Sequence, residues 1–147
     1  MKTKMFANIK EGDKLYIVYQ DTKHDYQIGE AVVTGFHKWT YKDTDRFEDI
    51  TYGEYPQTNI LYKFKDIDFS RNLEYCLDDT HFTDAVKYGY DYTKMFASKY
   101  ITTFTTYDEA KEYIINTLSK LILNKQQEIK TREEQIKTYK ANLSQFK

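Results

Sequence analysis

The sequence predicts an α+β protein. A small antiparallel β-barrel or curled sheet occupies residues 1–106, and one long C-terminal helix forming a coiled coil occupies residues 107–147. Three observations carry this expectation. Short runs of β-branched and aromatic residues recur between turn signals as far as Phe104, the mark of short antiparallel strands. Thr106-Tyr107-Asp108-Glu109 is a capping box, and neither Gly nor Pro follows it. Beyond it, Ile115, Ile122, Ile129, Ile136 and Leu143 stand seven residues apart, which is heptad spacing.

Taken in order, Gly12-Asp13 marks a turn and Lys14 to Tyr19 (KLYIVY) reads as a first strand. Gln20 to Asp25 is a polar hairpin connection. Ile28 to Phe36 (IGEAVVTGF) reads as the second strand, with Gly29 and Gly35 marking a bulge or a close packing point. Thr40 to Thr58 is polar and aromatic with little periodicity. Asn59 to Ile67 is the third strand and Leu73 to Leu77 a fourth. Thr83 to Tyr88 is suited to a short helix, and Ser98 to Phe104 is a closing strand. GDKLYIV followed by GEAVVTGF is similar to the first hairpin of many SH3-like barrels, over residues 12–36.

The helix changes character midway. Ala110, Tyr113, Ile114, Ile115, Leu118, Leu121, Ile122 and Leu123 make a wide apolar face suited to docking on a sheet. Beyond Asn124 only a stripe is left. The positions three residues after the heptad isoleucines hold Leu118, Lys125, Arg132, Tyr139 and Phe146. Lys125 and Arg132 must snorkel outward or meet Glu128 and Glu133 of a partner. An unbroken helix to Lys147 is about 60 Å long, too long to serve its own domain alone. A homo-oligomer, in the first place a dimer, is therefore expected through Ile115, Leu118, Ile122, Ile129, Ile136 and Leu143.

Composition bounds the function. Net charge is −1, so no global field selects nucleic acid or an anionic membrane. Residues 66–91 nevertheless carry seven acids against two bases, a net of −5, and residues 124–147 six bases against three acids, a net of +3. The acidic segment suggests nucleic-acid mimicry as a minor alternative to a solvated face. Cys76 is the single cysteine, which fits a reducing compartment and a small buried side chain better than a nucleophile. No signal peptide or apolar span is visible, so a cytoplasmic protein is expected.

Asp78, Asp79, His81 and Asp84 cluster in sequence but lack a ligand spacing. Nucleotide-binding and hydrolase motifs are missing as well. The expectation is a protein that is not an enzyme and has neither metal nor cofactor. What is present is a segment holding Trp39, Tyr41, Arg46, Phe47, Tyr52 and Tyr55. Large aromatics beside an arginine compose a binding patch, or else an extra Tyr-rich hairpin in a chain where Tyr is abundant throughout. The first reading is a non-catalytic oligomer that binds another protein, as inhibitor or adaptor of a host factor. In composition the chain resembles proteins carried by phages and mobile elements of AT-rich bacteria.

The alternative reading rests on layout. An N-terminal antiparallel sheet followed by interlocking C-terminal helices resembles the first type of Thoeris anti-defence protein from phages, in the order of elements. That family sequesters a nucleotide immune signal without turnover, in pockets where sheet and helix of neighbouring subunits meet. The resemblance implies a pocket near the helix start, with Arg46 or Lys111 for phosphate and Tyr107 or Trp39 for base stacking.

Overall fold

The computed structural model describes residues 6, 8–45, 47, 50–73, 81–85 and 100–147. Its elements run β1 (Lys14–Gln20), β2 (Tyr26–Asp45), β3 (Ile50–Phe64), β4 (Ile67–Asn72), β5 (Phe82–Ala85), β6 (Tyr100–Phe104) and α1 (Tyr107–Ser144). The strands form one antiparallel sheet in the order β4-β3-β2-β1-β6-β5. Among the described residues, no helix is long and apolar enough to cross a membrane.

Local chemistry sets the strand ends. Between β1 and β2, the Asp21 carboxylate accepts from the amides of Lys23 at 2.9 Å and Asp25 at 3.0 Å, an Asx turn. The Asp25 amide contributes most to holding the Asp21 carboxyl below its ordinary range. Lys65 and Asp66 both have positive φ, at 51° and 63°, as a two-residue type I′ hairpin turn requires. Before β1, the Gly12 amide donates to Val33 O at 2.8 Å and the Val33 amide to Asp13 O at 2.9 Å. The register of β2 on β3 shifts between Val33 and Gly35. Gly35 thus sits at a bulge. Gly29 is a close packing point, because a Cβ there would lie 2.3 Å from the Phe64 ring.

Alternation fills the inside of the sheet. Leu15 and Ile17 of β1, Ala31 and Val33 of β2, Ile60, Tyr62 and Phe64 of β3, and Ile101 of β6 are all buried. The sheet curls, so its two edge strands approach across this core. Arg71 of β4 pairs with Asp84 of β5 at 3.4 Å, and the Tyr62 ring lies 5.8 Å from Phe82 of β5. The result is a half-barrel. Phe6 closes against Phe82 at 5.0 Å. β6 is covered on both faces: Ile101, Thr102, Thr103 and Phe104 are all buried. His81 stacks on Phe104 at 5.1 Å, and Tyr107 meets Tyr16, the cross-strand neighbour of Phe104, edge-on at 6.0 Å.

Several expectations are corrected. β2 does not end at Phe36 but runs to Asp45, and β3 starts at Ile50. The stretch from Thr40 to Thr58 is therefore mostly strand. The chain turns at Lys65-Asp66, so the fourth strand is Ile67–Asn72 and only Leu73 of the Leu73–Leu77 run is described. Thr83 to Ala85 belongs to β5, not to a helix, because it pairs with Ile101, Thr102 and Tyr100 of β6. Val86 to Tyr88, Cys76 and Arg46 lie outside the described residues.

The chain divides into two units, residues 1–111 and 112–147. The first holds the sheet and the opening turn of α1, where the Glu109 amide donates to Thr106 Oγ1 at 3.3 Å and Ala110 is fully buried. The second is the remaining helix. Its Ile115, Leu118, Ile122, Ile129, Ile136 and Leu143 are all exposed.

Candidate binding surface

β1 pairs with β2 only as far as Val32, and β4 pairs with β3 only from Asn59 onward. From Lys38↔Thr58 to Asp45↔Ile50 the hairpin continues through eight cross-strand pairs with no third strand among the described residues. At about 3.4 Å per residue this arm reaches about 27 Å. A two-stranded ribbon on its own is marginal in water, so cross-strand side-chain contacts have to hold it.

Those contacts are visible on one face. Trp39, Tyr41, Gln57 and Tyr55 share it, because Trp39 pairs with Gln57 and Tyr41 with Tyr55. The Tyr41 and Tyr55 rings stack at 6.4 Å and 27°. Gly53 leaves room for the Tyr55 ring, whose hydroxyl would lie 2.7 Å from a Cβ there. At the root of the arm, Trp39 Nε1 donates to Asn59 Oδ1 at 3.0 Å, and Asn59 Nδ2 donates to Ser70 Oγ at 3.1 Å. Asn72 Nδ2 donates to Gln57 Oε1 at 2.8 Å. This amide ladder ties the arm to β4 and fixes the indole. On the other face, the exposed Lys42–Glu54 pair at 3.8 Å adds little.

The aromatics remain solvated: Trp39 is 36%, Tyr41 50%, Tyr55 51% and Tyr52 63% exposed. Tyr52 is the extra residue where the register shifts between Asp43 and Thr44. At the tip Phe47 is 97% exposed, its amide bonded to Asp45 Oδ1 at 2.8 Å. The structure thus gathers Trp39, Tyr41, Tyr52 and Tyr55 on one protruding element. Tyr107, half exposed, and Lys111, exposed, belong to the start of α1 and not to the arm.

One internal polar cluster escapes sequence reasoning, because its members come from three strands. Tyr62 Oη donates to Asp84 Oδ2 at 2.5 Å, while Arg71 Nη1 approaches Asp84 Oδ1 at 3.4 Å. Burial pushes the Tyr62 hydroxyl well above the ordinary tyrosine range, and the Asp84 charge adds to this. Burial also raises Asp84, against the lowering effects of Tyr62 and Arg71. The cluster locks the curl of the sheet. It also removes Asp84 from the acidic surface, and Asp68 faces Lys63 at 3.8 Å. Of the grouped Asp78, Asp79, His81 and Asp84, the first two lie outside the described residues. His81 turns to Phe104 and Asp84 to Tyr62.

Fold and surface describe a curled β-sheet protein with a projecting aromatic arm and a long helix. Comparison with family models, curated proteins and solved structures gives no match for this chain.

Proposed function

We propose that this chain is a non-catalytic binding protein that assembles through its helix and engages another protein with the aromatic arm, as an inhibitor or adaptor. The observation that supports this reading is the arm itself. Among the described residues, eight pairs of strand extend past the last neighbouring strand, and they carry solvated Trp and Tyr side chains. Such rings bury much area at low entropic cost, and they dominate protein contact energies. The backbone edges of the arm, open among the described residues, add a second way to engage an extended segment. In this reading the stripe on α1 is a coiled-coil seam, the first hairpin is the start of an SH3-like barrel, and the whole is cytoplasmic.

The test is Tyr41→Ala with Tyr55→Ala. Losing the stacked pair costs about 0.5–1.5 kcal/mol, too little to unfold the sheet. The double variant keeps its melting transition within a few degrees but loses any protein that co-purifies with the unmodified chain in stoichiometric amount, as read by native mass spectrometry. Retained partner on the variant overturns the role of the arm. A co-purified nucleotide that persists in the variant favours the signal-sponge reading.

A further inference from the structure

We infer that two copies of this chain pair through α1 in antiparallel orientation, an inference that rests on the oligomeric reading above. The occupant of the exposed stripe is thus a second copy of the same helix, and charge decides its direction. With Ile115 to Leu143 every seven residues at position a, Lys125 and Arg132 fall at d in adjacent heptads. In a parallel, in-register pair d packs beside d. Lys125 would then face Lys125, and Arg132 would face Arg132, in the middle of the seam. The same geometry sets Glu128 at g against Glu133 at e of the other copy. Every one of these contacts opposes like charges.

Reversing one helix sets a against d, and one register then fills every layer. Ile115 meets Phe146, Leu118 meets Leu143 and Ile122 meets Tyr139. Lys125 lies beside Ile136, and Arg132 beside Ile129. Each cation rests its stem on an isoleucine and carries its head to water. Lys125 Nζ already turns to Glu128 of its own helix at 3.4 Å, clear of the seam. Along the flanks Glu128 falls opposite Gln135, Gln126 opposite Glu133, and Glu112 opposite Lys147. None of these core and flank contacts opposes like charges.

Orientation is read by distance in the full chain. Asn116→Cys in a Cys76→Ser background carries a spin label on the exposed side of the helix. The antiparallel register sets residue 116 level with residue 145 of the second copy. Two labels are then about 44 Å apart along the axis, at about 1.5 Å per residue. A parallel pair holds them within about 20 Å, given interaxial distances of 8–10 Å. A second measurement needs no substitution. Lys120 and Lys140 are about 30 Å apart within one helix, but level with each other across an antiparallel pair, so a short amine-reactive reagent links them only between copies. Long label distances with the Lys120–Lys140 link are expected. Short distances without the link overturn the orientation and leave the oligomer standing. A monomer by light scattering at micromolar concentration overturns both this inference and the assembly reading it rests on.

Discussion

Tyr62 and Asp84 show how single residues hold the curl. A phenol and a carboxylate from β3 and β5 meet inside the sheet, and Arg71 from β4 supplies the countercharge. Tyr62→Phe strips Asp84 of its closest donor and should cost about 1–3 kcal/mol at neutral pH. Its pH dependence identifies the cause. The folded state retains the Tyr62 proton where an unfolded tyrosine, at an ordinary 10.0, gives it up. Above about pH 10 the native state therefore binds more protons than the unfolded state, and stability falls as pH rises. The variant lacks this loss, so urea melts of the two proteins should converge between pH 9 and pH 11, an interval chosen to bracket the ordinary tyrosine value near 10. Asp84 acts at the other end. Its raised carboxyl retains a proton above the ordinary 3.8, so its contribution declines as pH climbs from that value to the raised one, and is flat beyond it.

At the scale of elements, the hairpin arm and the helix start follow different rules. The arm has two solvated faces, held by the stacked Tyr41–Tyr55 pair and the amides at its root. Among the described residues it has no third strand beside it, so local opening costs little there. The helix starts at a specific cap. The Thr106 hydroxyl accepts the Glu109 amide, and Asp108 and Glu109 lie at the positive end of the helix dipole. Thr106→Ala should cost about 0.5–2 kcal/mol. Because Ala110 is buried one turn later, that loss should appear in the melting of the sheet unit and not only as fraying. An unchanged sheet transition, with lower helicity by circular dichroism, would separate the opening turn from the folded core.

For the whole molecule, the question is what covers the apolar stripe of α1. In the single chain Ile129 and Ile136 are 56% and 52% exposed, on a helix of 38 residues, or about 57 Å. A helix in a protein gains most of its stability from packing an amphipathic face. Burying each isoleucine in a second copy contributes roughly 1.5–3 kcal/mol. Ile129→Asp with Ile136→Asp should therefore yield a monomer by light scattering, with the sheet unit still giving its own β-type dichroism. If the doubly substituted chain keeps the mass of the unmodified one, assembly runs through another surface.

What is local in this fold follows from the order of residues alone. The turn after Gln20, the bulge near Gly35, the Thr106 cap and the unbroken helix depend on neighbours within a few residues, so each is legible from the chain alone. The heptad is legible for the same reason, since one helix face repeats every seven residues. The arm is legible as a hairpin only as one of two alternatives, the other being a binding loop, because alternation appears only where one face is buried, and here both faces meet water. Its aromatics were found by composition, while their gathering on one protruding hairpin came from the structure. Local preference suits Thr83 to Tyr88 to a short helix, because Asp84 and Ala85 disfavour strand and outweigh the β-branched Thr83. Pairing with β6 overrides local preference there. The meeting of Tyr62, Arg71 and Asp84 was decided by tertiary structure alone. Only the curl of a twisted sheet brings its two edge strands together, and no spacing along the chain records that curl.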